Sequence, residues 1–228
     1  MPNELPVERP QGRAPDGLVV QPDFLLGAHR IDQLPADHGR EVAIAGRSNA
    51  GKSSAINAMF QIRGLARTSK TPGRTQQINV FSLGDGQRLV DLPGYGYAKV
   101  SPALREHWAR TLPRYLSERR SLAGVLLAMD IRHPLKDSDI DFISWCVHAG
   151  LGLRILLTKS DKLARGARQR THAAVHAWCE TNGHDLSVQL FSSLRREGLP
   201  EARRWIREQL LDAGADLPAA PAPASSAD

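Results

Sequence analysis

The sequence predicts an α/β fold of three layers, a mostly parallel sheet with one antiparallel edge strand and helices on both faces. Three observations carry this. Apolar runs of strand length alternate with longer segments whose apolar residues recur every three or four positions. The later runs lack polar alternation, as strands covered on both faces do. Two runs are joined only by Gly84-Asp85-Gly86, a hairpin-length connection that makes that pair antiparallel.

Taken in order, residues 1–21 hold Pro2, Pro6, Pro10, Pro15, Gly12 and Gly17 with few large apolar groups, and read as a flexible extension. Residues 41–45 are the first strand candidate and run into Gly46, followed by a helix over 52–60. Residues 76–83 and 87–92 form the hairpin, and 124–130, 153–158 and 187–191 are three more strands. Ile140, Ile143 and Val147 mark one helix, with Gly150 where its C-terminal stop belongs. A second helix, 164–182, places Val175 and Trp178 on one stripe and ends at Gly183. A last helix opens at Pro200, carries Ala202, Trp205, Ile206 and Leu210, and is followed by Gly214. Trp108, Trp145, Trp178 and Trp205 all fall in helical segments, where core packing is their expected role. No internal repeat is present. Residues 22–213 therefore read as one domain, and 214–228, rich in Ala and Pro, as a disordered tail.

Composition removes several classes. With 228 residues, 41% hydrophobic and 24% charged, the chain can bury a core without covalent staples. Cys146 and Cys179 are its two cysteines, too few for a disulfide scaffold, and neither sits in a zinc-binding spacing. Their apolar helical surroundings predict burial. No apolar run approaches the roughly 18 residues of a membrane span. The first residues, Met1-Pro2-Asn3-Glu4-Leu5-Pro6, lack the apolar stretch of a secretion signal, so a cytoplasmic location is expected. The net charge is +6, and 24 of the 30 cationic residues are Arg. That balance suits an anionic partner, and it equally suits a solvated Arg-rich surface.

Three motifs carry chemistry. Gly46-Arg47-Ser48-Asn49-Ala50-Gly51-Lys52-Ser53 matches G-x-x-x-x-G-K-[ST] and lies between a strand and a helix. Glycines let such a loop curl so that backbone N–H groups point inward at phosphate oxygens, and the helix N-terminus adds donors of its own. Lys52 reaches the β- and γ-phosphates in this arrangement, and the Ser53 hydroxyl ligates Mg²⁺. Downstream, Asp91-Leu92-Pro93-Gly94 closes a strand. There Asp91 can hold Mg²⁺ through water, and the Gly94 N–H can approach the γ-phosphate. Thr158-Lys159-Ser160-Asp161 follows another strand. A carboxylate there accepts two hydrogen bonds from guanine, adenine offers neither, and the Lys159 stem can pack across the purine. Phe191-Ser192-Ser193 is weaker: a backbone N–H can meet guanine O6, and capping of the last helix by Ser193 explains the same residues.

The ordered set GRSNAGKS, PGRTQ, DLPGYGYA, TKSDK and FSS resembles translation-factor-class GTPases of the Era/EngA/TrmE lineage and, more narrowly, the EngB family of ribosome-assembly GTPases. The narrower resemblance rests on Asp91-Leu92-Pro93-Gly94-Tyr95-Gly96-Tyr97-Ala98, on Asp130-Ile131-Arg132-His133-Pro134, and on TKxDK in place of NKxD. It runs from about Phe24 to Leu211 and implies a P-loop NTPase fold binding GTP or GDP with Mg²⁺. It also implies that Gly73, Arg74, Thr75, Gln76 and Gln77 face the nucleotide, with Thr75 joining Ser53 and Asp91 on the metal. Tyr95 stands where many GTPases place the Gln that orients the attacking water, so slow intrinsic hydrolysis is expected. Asn49 matches an Asn that in related GTPases helps hold a potassium ion against the phosphates. Lys52, Thr75, Gly94 and Asn49 are thus the catalytic candidates. The resemblance further implies the 50S ribosomal subunit and its RNA as partner and a requirement for normal septation and cell division; a monomer is expected.

Arg105, Arg110, Arg114, Arg119 and Arg120, with Arg195, Arg196, Arg203, Arg204 and Arg207, are the clusters that would meet an RNA backbone. Two other readings stand beside this one. The first is a nucleotide-dependent module that acts directly on a cell-division partner with incidental hydrolysis. The second is a P-loop ATPase or kinase, against which Asp161 argues.

Overall fold

The computed structural model describes residues 21–66, 77–96 and 101–211. The extension before residue 21 and the tail after 211 lie outside the described residues. So do Gly73, Arg74, Thr75, Gln76, Tyr97 and Ala98.

Every apolar run picked out in the sequence forms a strand. They are β2 (Arg40–Gly46), β3 (Ile78–Gly84), β4 (Gln87–Asp91), β5 (Leu122–Asp130), β6 (Gly152–Thr158) and β7 (Ser187–Leu190). One strand precedes them, β1 (Asp23–Ala28), which the sequence pattern did not reveal: four of its six residues are exposed apart from half-buried Leu26 and buried Ala28. The helices are α1 (Lys52–Phe60), α2 (Pro102–Glu118), α3 (Asp137–His148), α4 (Arg165–Thr181) and α5 (Leu199–Leu211). Ser101 caps α2 by accepting the Leu104 N–H, and Pro102 occupies its first turn, where a missing N–H costs nothing.

Among the described residues one seven-stranded sheet has the order β1-β3-β4-β2-β5-β6-β7. Strands β4, β2, β5, β6 and β7 are mutually parallel, and the antiparallel pairings β1–β3 and β3–β4 are confined to one edge. The expected mostly parallel sheet with antiparallel pairing at its edge is what forms, and β1 extends that edge beyond the hairpin.

The central strands read as continuous apolar runs because both faces are covered. Val42, Ile44, Leu126 and Leu156 face a cluster with Ile56 and Met59 of α1 and Trp205, Ile206 and Leu210 of α5. Ala43, Ala45, Val125, Leu127 and Ile155 face Leu112 and Tyr115 of α2, Phe142 and Cys146 of α3, and Val175 and Cys179 of α4. Both cysteines are buried. β7 departs from the pattern expected of it: no residue in it is fully buried, because it is the other edge of the sheet. Trp108 and Trp205 are buried, while Trp145 and Trp178 pack half-buried against the core.

Two arginines assigned by sequence to a basic surface are structural. Arg119 is buried, and it donates to Glu41, which also accepts from Arg88 and the Tyr115 hydroxyl. Arg203 donates through Nε to the Met59 carbonyl at 2.5 Å, satisfying the C-terminal end of α1. Ser193 does not cap the last helix, which begins at Leu199 instead. A bridge between Ser192 and Glu197 closes the intervening turn first. No helix among the described residues is long and apolar enough to cross a membrane.

Candidate nucleotide-binding site

Parallel strands deliver their C-terminal ends to one side of the sheet, and connections diverge on either side of β2, where such sheets bind ligands. Gly46 ends β2 with φ 155°, and a Cβ there would lie 2.6 Å from the Ala128 carbonyl of β5, so only glycine lets the chain turn so close to its neighbour. The loop then rises through Asn49 and Gly51, both at positive φ, into α1. Its shape is fixed by the Ala50 N–H to the Arg47 carbonyl at 3.0 Å and the Ser48 N–H to the Tyr95 carbonyl at 3.2 Å. α1 starts on Gly51 without a capping side chain. The amides of Lys52, Ser53 and Ser54 therefore point forward without an intrahelical acceptor, a geometry suited to an anion.

Lys52 is buried, and its ammonium pairs with the buried Asp91 carboxylate at the end of β4. Asn79 Nδ2 stands 3.5 Å from the other Asp91 oxygen. A buried cation for phosphate and a buried carboxylate beside the Ser53 turn fit a nucleotide with Mg²⁺, which takes few protein ligands and keeps phosphate and water oxygens. The two following residues, Leu92 and Pro93, are buried, and the Leu92 N–H extends the ladder to the Ile44 carbonyl at 3.0 Å. They hold Gly94 in place and contribute no polar group of their own.

Arg47 turns out of the loop. Its Nε donates to both Asp139 oxygens at 3.1 and 3.0 Å, and its terminal nitrogen to the His133 carbonyl at 2.5 Å. Asp139 also accepts the Tyr95 hydroxyl at 3.0 Å, and the Tyr95 ring stacks on Phe142 with centroids 5.0 Å apart. Burial pushes the Asp139 carboxyl up despite Arg47, and burial together with Asp139 pushes the Tyr95 phenol well above its usual range. Tyr95 is thereby tied into α3.

The residues expected to meet the base come together from two strand ends. Thr158 is buried with its hydroxyl directed at the Ala50 carbonyl, and it lies 3.0 Å from the Met129 carbonyl, so it ties the phosphate loop to β6. Lys159, at φ 58°, donates from Nζ to the Asn49 carbonyl at 2.6 Å. The Ser160 N–H donates to the Phe191 carbonyl at 3.1 Å, and its hydroxyl to Glu197 at 2.6 Å. Asp161 accepts the Ser192 hydroxyl at 2.6 Å, and that hydrogen bond holds its carboxyl below the usual range. Phe191 itself is core, and the Ser192 N–H is taken by the Glu197 carbonyl at 3.0 Å.

Gln77 stands apart from these groups: its side-chain nitrogen meets the His29 ring at 2.8 Å on the β1–β3 edge. Sequence reasoning also missed four supports, Asp130, Asp139, Arg168 and Glu197. Arg168 anchors Glu197 at 2.8 Å from α4. None falls in a phosphate or base motif; Asp130 stood at a strand end and in the segment 130–134 that carries the narrower resemblance, but with no role attached to it.

A family model described as 50S ribosome-binding GTPase matches residues 41–159. Probable GTP-binding protein EngB of one Coxiella burnetii strain is 51% identical over 190 residues, 82% of this chain and 93% of the relative. The same protein from another strain is 53% identical over 180 residues, 79% and 88% of the two chains. A crystal structure of a probable GTP-binding protein EngB matches with TM-score 0.61 at 18% identity, covering 75% of this chain and 98% of that one. Aquifex aeolicus Era bound to GDP and aluminium fluoride matches with TM-score 0.58 at 18% identity, over 75% and 56%. At these identities the structural likeness concerns the fold alone. With a phosphate loop, a strand-end carboxylate and a TKxD turn gathered at the C-terminal ends of the strands of a P-loop sheet, and with relatives at this level of identity, the chain belongs to the EngB family of GTP-binding proteins, a GTPase family.

Proposed function

We propose that this protein is a slow, Mg²⁺-dependent GTPase that serves as a cytoplasmic, monomeric switch in assembly of the 50S ribosomal subunit. The observation that carries the reading is the joining of the phosphate loop to an ionised Asp161 pocket, with Tyr95 bound into α3. Lys52 and the first amides of α1 bind and orient the phosphates, and Asp161 selects guanine. Ser53 and Asp91 would hold Mg²⁺, with Thr75 joining by resemblance; when bound, the ion neutralises charge on the β- and γ-phosphates. The Tyr95 side chain donates to Asp139 and has no amide carbonyl with which to orient the attacking water, so turnover waits on a partner. Gly94, between Asp91 and Tyr95, is the amide placed to report the γ-phosphate. Asn49 is exposed at the rim of the loop, where potassium would add positive charge, and hydrolysis faster in KCl than in NaCl is expected. The family model's own description supports a ribosomal partner. A requirement for septation then follows indirectly, through ribosome supply.

Cosedimentation with 50S particles across a salt series tests the switch. Association with a GTP analogue and release with GDP at moderate salt is the expected result. Association independent of nucleotide rejects the switch. Binding to a division protein with no ribosome association favours direct action on septation.

A further inference from the structure

Asp130-Ile131-Arg132-His133-Pro134 belongs to neither the phosphate loop nor the base motif, yet it stands between them. β5 ends on Asp130 directly opposite Thr158 in parallel register, which brings its carboxylate beside Lys159. Lys159 Nζ donates to Asp130 Oδ2 at 3.0 Å as well as to the Asn49 carbonyl at 2.6 Å. Arg132 grips the same carboxylate, with Nε to Oδ1 at 2.9 Å, a terminal nitrogen to Oδ2 at 2.6 Å and its backbone N–H to Oδ1 at 3.1 Å. A chain of charge-assisted bonds thus runs from Arg132 through Asp130 and Lys159 into the phosphate loop.

A lysine side chain has four rotatable bonds, so two fixed acceptors at its tip restrict where its stem lies. The chain of partners runs outward from the sheet: Asp130 is buried, the Lys159 side chain is 30% exposed and that of Arg132 44%. Burial alone would push the Asp130 carboxyl up. Hydrogen bonds from Arg132 and Lys159 outweigh it and keep the group ionised.

We infer that Asp130 is a positioning residue for nucleotide binding: with Arg132 behind it, it holds Lys159 so that the stem spans from the base pocket to the Asn49 carbonyl and forms the surface on which the guanine rests. The inference depends on reading the site as a guanine-nucleotide site. Its sign separates it from simple electrostatics. Removing a negative charge beside a polyanionic ligand should tighten binding, whereas releasing Lys159 should weaken it.

Equilibrium titration and stopped-flow dissociation of fluorescently labelled GDP decide between them. Asp130→Asn should weaken binding about tenfold, equivalent to about 1.4 kcal/mol, mainly through faster release. Lys159→Ala should weaken it to a similar degree, and the double variant by no more than about twofold beyond the worse single one, since both remove one interaction. Unchanged or tighter binding by Asp130→Asn overturns the inference, and so do effects that multiply in the double variant. Should Asp130→Asn fail to fold, Arg132→Ala carries the test from an exposed position: a severalfold loss supports positioning, and unchanged affinity overturns it. The wild-type chain is titrated with GDP and ADP in parallel. Lack of guanine preference there overturns the underlying reading and this inference together, whereas guanine preference with an unaffected Asp130→Asn overturns this inference alone.

Discussion

Asp91 and Asp161 both end parallel strands or follow them directly, but their partners divide their roles. Asp91 is matched by the buried Lys52 ammonium. Asp161 meets the neutral Ser192 hydroxyl at 2.6 Å, which does not neutralise its charge, and the proposed pairing with a guanine donor pair requires that charge. Replacing it as Asp161→Asn exchanges one acceptor for a donor, which opposes the exocyclic amino group of guanine and suits the carbonyl that xanthine carries at that position. Calorimetric titration should show GDP affinity falling by at least about a hundredfold while xanthosine diphosphate binds better than to the wild type. If Asp161→Asn keeps its guanine preference, the base assignment fails. The same side chain has a pH signature. Its pKa in the folded chain lies below that in the unfolded chain, first because of Ser192, so its stabilisation is present above the unfolded value and is lost as pH falls through the folded one. Urea midpoints of the wild type and Asp161→Asn should therefore differ at pH 7 and converge as pH drops below about 4.

Among the elements, α1 depends on partners at both ends. Its N-terminus, opened by Gly51 without a capping side chain, is left for the ligand. Its C-terminus is satisfied from another helix, by Arg203 on the Met59 carbonyl at 2.5 Å. Arg203 is buried, while its neighbour Arg204 on α5 is exposed. Arg203→Ala leaves the helix end without its charged donor and should lower unfolding free energy by about 2 kcal/mol. Arg204→Ala should change it by less than about 0.5 kcal/mol. Urea denaturation of the pair checks this, and equal effects would reject the capping role. The two residues are adjacent in an Arg-rich stretch, and nothing in the sequence distinguishes them. Helix phase does, once the face packed against α1 is known.

For the molecule as a whole, charge is sorted by depth. At the end of the sheet away from the nucleotide site, Glu41 is buried with Arg88 at 2.6 Å and Arg119 at 2.5 Å. Glu41→Gln leaves two guanidinium groups buried against a neutral amide and should cost about 3 kcal/mol of stability. GDP affinity should be unchanged, since the network involves the starts of β2 and β4 and none of the residues at their C-terminal ends that build the site. Thermal unfolding with and without GDP separates the two effects, and a matching loss of affinity would contradict that separation. Arg110 and Arg114 pair along α2 with Glu106 and Glu118. Arg105, Arg120, Arg195, Arg196 and Arg204 are the exposed members of the clusters that make no ion pair among the described residues. The surface available to an RNA backbone is accordingly smaller than the Arg count suggests, and the salt slope of ribosome association should reflect those residues.

Local rules determined a great deal of this protein. Apolar runs of strand length predicted six strands, and the lack of polar alternation in β5 and β6 reflects burial on both faces. The phosphate loop, Asp91 and TKxD were legible because their chemistry needs contiguous residues at short fixed spacing. β1 was hidden, since an exposed edge strand needs no hydrophobic pattern. The roles of Asp130, Asp139, Arg168, Glu197 and Arg203 were hidden for a different reason. Each acts on a residue remote from it in the chain, and a long-range pairing has no spacing that the sequence displays. Tertiary structure alone decided that Arg47 faces Asp139 and not phosphate, and that Arg119 and Arg203 are buried. A side chain's neighbours follow from how sheet and helices stack, not from its type.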